Sequence, residues 1–133
     1  MIVLSALFML RVAAQALQRW WPLDRLPPFD AWQGSDLSYP LLLSMQMLIV
    51  VAMCRVCWHT LRGTHPVSRR AGRWLAGLGA IYMSGSLLRI AVGLTVSHAS
   101  PWFSAWISSV FHVLLAAFLL TAAHYYLRAR AML

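Results

Sequence analysis

Apolar residues run in four long blocks, each near the roughly 20 helical residues needed to cross a hydrocarbon core. The first block, Ile2 to about Gln18, is interrupted by Arg11, and the second, Leu41 to about Leu61, is uncharged until Arg55. The third, Trp74 to about Ser97, contains Arg89, while the fourth, Trp102 to Leu127, has no formal charge. This pattern predicts an all-α fold, an integral membrane four-helix bundle forming a single transmembrane domain over residues 1–133. The expected helices cover about 2–18, 41–61, 74–97 and 102–127. Between the last two, His98 to Pro101 is a very short turn. Ser100 suits an N-cap and Pro101 a first helical position, where no amide donor is needed. The third and fourth helices are therefore expected to form an antiparallel hairpin.

Composition supports the same class. The 133 residues are 61% hydrophobic and 11% charged, with mean hydropathy +0.68. A soluble domain averages about 25% charged residues and cannot hide this much apolar surface. Disorder is excluded by the same arithmetic, and two cysteines exclude a disulfide-rich scaffold. Eleven arginines against three aspartates leave a net charge of +8. These arginines sit at the ends of apolar blocks instead of forming one stripe interleaved with exposed aromatics, so nucleic acid is not the expected partner.

Charge asymmetry orients the chain. Arg62, Arg69, Arg70 and Arg73 lie between the second and third spans, and Arg128 and Arg130 follow the fourth. The opposite side has Arg19 and Arg25 beside Asp24, Asp30 and Asp36. Six arginines against two predict an inner-membrane protein with both termini and the second loop in the cytoplasm. Aromatic belts agree, with Trp20, Trp21, Trp102 and Trp106 expected at the outer interface and Trp58, Trp74, Tyr125 and Tyr126 at the inner one. The first span is the weakest. Its best apolar residues contribute about −3.5 kcal/mol together, whereas one central arginine costs about +2.5 to +3.5 kcal/mol. It is expected to insert with help from its neighbours. Ala14 to Ala16 would suit signal-peptide cleavage, but the missing basic n-region and Arg11 inside the apolar stretch favour a retained helix.

Gln18 to Pro40 forms a 23-residue outer loop, far longer than an ordinary connection. Four prolines and Gly34 exclude a long helix there. Trp20, Trp21, Leu23, Leu26, Phe29, Trp32 and Leu37 are too apolar for a solvated linker, so an ordered lid in the interface or over the helices is expected.

Polar groups inside a bilayer are expensive, and each calls for a partner. Arg11 and Gln15 share a face of the first helix, and Gln46 lies near the outer start of the second. Tyr82, Ser86, Arg89 and Gly93 share a stripe on the third, as do Ser104, Ser108 and His112 on the fourth. Most of these groups fall between the midplane and the outer face, which is expected to gather them in the bundle interior. No carboxylate lies in any predicted span. The two arginines must then be answered by loop aspartates, by lipid phosphate, or by a ligand or partner. Arg11, Gln15, Gln46, Tyr82, Ser86, Arg89, Ser108 and His112 are the candidate site for an anionic or quinone-like ligand. Gly72, Ala76, Ala80 and Ser84 form a ridge at four-residue spacing, with Gly77, Gly79, Gly85 and Gly93 thinning the same helix, which is therefore expected to be central.

Two further chemistries have some support. His59 and His124 lie near the inner ends of the second and fourth helices and could ligate a b-type haem, with Arg55 and Arg128 as propionate partners. Met53, Cys54, Cys57 and His59 gather soft ligands, although small cysteines pack helices equally well. Nothing resembles a catalytic triad, a phosphate loop or a repeat. The expected function is a non-enzymatic accessory or assembly subunit of a larger membrane complex, or a homo-oligomer, in contact with the lipid bilayer. The alternative is a haem b- or quinone-binding redox module.

Overall fold

A computed structural model of the chain describes residues 1–32, 37–63, 68–95 and 106–129. It contains α1 (Ile2–Trp20), the short α2 (Phe29–Trp32), α3 (Tyr39–Arg62), α4 (Arg69–Thr95) and α5 (Trp106–Ala129). The long helices, α1 and α3 to α5, are long and apolar enough to cross a membrane. This is a multi-pass membrane protein folded as a four-helix bundle.

Local sequence explains the ends. Trp21 stops α1 in an extended conformation because Pro22 follows it, and the Gln18 side chain accepts a 3.0 Å bond from the Leu23 amide at the exit. Pro40 sits in the first turn of α3, and Gly63 closes that helix in the left-handed conformation at φ 62°, where a side chain would be strained. Ser68 caps α4, its carbonyl accepting from the Gly72 amide at 3.0 Å. The helix therefore starts five residues before the expected Trp74, which carries Arg69, Arg70 and Arg73 into its first turns instead of leaving them in a loop. The expected Ser100 cap and Pro101 start of the last helix lie outside the described residues.

The core lies among three helices. Phe8 and Val12 of α1, Met53 of α3 and Phe118 of α5 are buried together, with Leu4, Ile49, Val56 and Leu115 packed around them. Among the described residues α4 packs chiefly on α5 and stands at an edge of the bundle, not its centre. The expectation failed because glycine content reports close approach to one neighbour, not the number of neighbours. The ridge itself also differs from the expected one. Gly72, Gly79 and Ser86 are buried at seven-residue spacing, whereas Ala80 and Ser84 are exposed. An added Cβ at Gly79 would sit 2.9 Å from Leu120 Cγ, and one at Gly72 would sit 3.0 Å from Leu127 Cγ. Gly77 and Gly85 face open space. Ser109, Ala116 and Ala123 of α5 are buried at the same interval of seven. That interval keeps two helices in register along a common seam, which a four-residue ridge does not.

Of the aromatic residues expected in two belts, Trp102 and the Trp106 side chain lie outside what the structure describes. Trp20 and Trp21 are exposed at the loop end of the bundle, Trp58 and Trp74 at the other end, and the Arg62 guanidinium stacks 4.0 Å from the Trp58 ring centroid. Tyr126 is instead buried against Gly72. Several hydroxyls within the helices return to their own backbone, as in Thr60 to Val56, Ser86 to Tyr82 and Thr121 to Ala117, while that of Ser109 is buried without a hydrogen-bond partner.

Candidate functional site

The described part of the long loop folds back over the helices. α2 packs on α1 and α5, and the Trp32 indole, 8% exposed, donates to the Pro27 carbonyl at 2.9 Å. Phe29 and Trp20 both meet the Tyr39 ring edge-on, at 5.2 and 5.9 Å between centroids. These contacts hold the Trp32 carbonyl where Arg11 can reach it.

Arg11 is 6% exposed. Its Nη2 donates to the Trp32 carbonyl at 3.1 Å, and its guanidinium lies 5.6 Å from the Phe111 ring centroid. A loop aspartate was one expected partner. The structure answers the cation with a carbonyl and a ring; Asp24 and Asp30 are exposed, and Asp36 lies outside the described residues. A peptide carbonyl and a π-face disperse the charge without a second buried ion to desolvate. One donor, Nε, is buried with no hydrogen-bond partner.

One turn along α1, Gln15 is fully buried and accepts from Gln46 Nε2 at 3.1 Å, tying α1 to α3. The pair leaves Gln15 Nε2 and Gln46 Oε1 buried and unpartnered. Buried amides normally satisfy nearly all their capacity, so both atoms mark a polar demand that the fold leaves open.

Arg11 and Gln46 line a cavity of about 350 Å³. Tyr82 and Arg89 of α4 and Ser108 and His112 of α5 complete its polar wall. The rest is apolar, with Phe8 and Phe111 on one side and Leu42, Met45 and Ile49 on another. His112 stacks on Tyr82, 6.1 Å between centroids at an interplanar angle of 13°. Its Nδ1 donates to the Ser108 carbonyl at 2.6 Å, which leaves Nε2 of the neutral ring as an acceptor. Ser86 lines an adjoining groove with Tyr82, Arg89, Ser109 and His112. The eight candidate residues thus divide simply: six line the cavity, Gln15 stands behind Gln46, and Ser86 lies next door.

Sequence reasoning missed the apolar wall and the Trp32 carbonyl. Phe8 sits three residues before Arg11 and Phe111 three residues after Ser108, so helical spacing held a signal for both. No side-chain pattern identifies a carbonyl acceptor.

The other candidates are dispersed. His124 lines an open groove of about 660 Å³ with Cys57, Thr60, Arg128 and the first residues of α1, and His59 is not part of that lining. Met53 belongs to the core, Cys54 is exposed, and Cys57 lies 3.4 Å from the Ser5 hydroxyl. Among the described residues, no group of three or more His, Cys, Asp or Glu gathers to hold a metal ion.

No family, curated protein or solved structure matches this chain.

Proposed function

We propose that this chain is a non-enzymatic inner-membrane protein that holds an anionic or quinone-like head in the cavity between its four long helices, as an accessory or assembly component of a larger membrane complex. The carrying observation is Arg11, a buried cation on the cavity wall with one donor unpartnered, beside a second arginine, Arg89. Two guanidiniums on the wall of one largely apolar cavity attract negative charge more strongly than they would at a surface. Arginine asymmetry supports both termini being cytoplasmic, which puts the cavity in the outer half of the membrane. Exposed apolar side chains on α3 and α4, such as Leu48, Ile81 and Leu88, offer surface for lipid and for a membrane partner or second copy.

Extraction in mild detergent followed by native gels and mass spectrometry tests the reading. A higher-mass assembly carrying a small amphiphile, lost in Arg11→Leu with Arg89→Leu, is expected. A bare monomer indifferent to both changes overturns it. A Soret band abolished by His59→Ala with His124→Ala would replace it with the haem alternative.

A further inference from the structure

The cavity has a side door. α3 supplies Leu42, Met45 and Gln46 to its wall and α4 supplies Tyr82 and Arg89, yet among the described residues α3 and α4 are not closely packed on each other. The seam between them opens to the outside of the bundle, and the side chains flanking it are half exposed: Met45 at 50% and Tyr82 at 43%. A volume of about 350 Å³ is at the lower end of small-molecule sites. It suits a head group, not a whole amphiphile, and any hydrocarbon tail must leave through the seam.

The unpartnered atoms state what that head must carry. Arg11 Nε needs an acceptor, and the neighbouring Arg89 makes a negatively charged one best. Gln46 Oε1 needs a donor. A fatty-acid carboxylate supplies charge and no hydrogen, and a quinone supplies neither. A choline or ethanolamine head brings a cation towards two arginines. A phosphodiester bearing free hydroxyls supplies both the anion and the donors. Resting on the cavity reading above, we propose that the ligand is an acidic phospholipid with a hydroxylated head, such as phosphatidylglycerol, entering sideways between α3 and α4. The phosphate lies against Arg11 and Arg89, a head-group hydroxyl donates to Gln46 Oε1, and the acyl chains remain in the bilayer.

The test uses the full chain in nanodiscs of phosphatidylcholine doped with phosphatidylglycerol, with retained lipid counted by native mass spectrometry. Phosphatidylglycerol is expected to be enriched over phosphatidylcholine, and Arg89→Gln to reduce that enrichment about tenfold or more, the loss expected for one charged hydrogen bond. Gln46→Leu is expected to keep the preference over phosphatidylcholine and lose the preference over phosphatidic acid, which lacks the hydroxyls. Circular dichroism and monodispersity identify properly folded variants, and Arg89→Gln on the edge helix is the deciding variant where a change nearer the core disrupts the bundle. Equal retention of phosphatidylglycerol and phosphatidylcholine overturns the proposal, as does competition by soluble glycerol phosphate as strong as by the lipid. Oleate or ubiquinone binding that depends on the arginines, without phosphatidylglycerol enrichment, removes the lipid assignment and spares the cavity reading. Arginine-independent retention of every probe removes both.

Discussion

Arg11, in the middle of the first membrane helix, donates to the backbone carbonyl of Trp32, 21 residues further along the chain at 3.1 Å. A buried cation and a folded-back loop therefore stabilise each other. The carbonyl needs a donor once it leaves water, and the guanidinium needs an acceptor once it enters the bundle.

That mutual dependence predicts a shared phenotype. Arg11→Leu and Trp32→Ala should both loosen the loop, the first by removing the donor and the second by emptying the buried ring's place. Loss of a charged hydrogen bond is worth about 1.5–3 kcal/mol, so amide exchange across residues 21–32 should accelerate about tenfold to a hundredfold. Exchange mass spectrometry in detergent reads this directly. Unchanged protection in Arg11→Leu would mean that the loop is held by its aromatic contacts alone.

The Gln15–Gln46 bond predicts non-additivity. Gln15→Leu strands Gln46 Nε2 beside an Oε1 that already lacks a partner and should lower stability by about 1–2 kcal/mol. Replacing both residues with leucine should cost less than the sum of the single changes, because no buried amide is left without a partner. Thermal unfolding of the full cycle measures the coupling.

Close approach of α4 to α5 predicts a sharp difference between two glycines two residues apart. Gly79→Val meets Leu120 and Leu119 and should destabilise by about 1–3 kcal/mol, whereas Gly77→Val meets open space and should be nearly silent. Adding Leu120→Ala to Gly79→Val should restore part of the loss by clearing the nearest contact. Equal effects at both glycines would show that the helices do not approach along this face.

Topology is open to chemical labelling. In intact cells, a cysteine replacing Asp24 should react with an impermeant maleimide, and one replacing Arg70 should react only after the membrane is breached, with Cys54 and Cys57 first changed to serine. Reversed labelling would turn the arginine-rich end outward and move the cavity to the cytoplasmic leaflet.

Much of this molecule was legible in its sequence because a bilayer imposes strict, one-dimensional demands. Span length, arginine position and interfacial tryptophans follow from the thickness and polarity of lipid, so four helices and their order could be read directly from apolar blocks. The depth of Arg11, Gln46, Arg89 and His112 was legible for the same reason, since residue count along a helix measures depth at about 1.5 Å per residue. Rotation about each helix axis was not. In lipid, an apolar residue facing a neighbour and one facing a tail differ little in hydrophobicity, so the nearly uniform α5 carried no readable face. Only packing decided that α5 and α1, not α4, hold the middle, that the small residues meet every seven, and that Tyr126 turns inward. The partner of Arg11 was hidden for a different reason. Every residue carries a carbonyl, so composition cannot say which one a buried guanidinium will find; that depends on where the chain folds back in space.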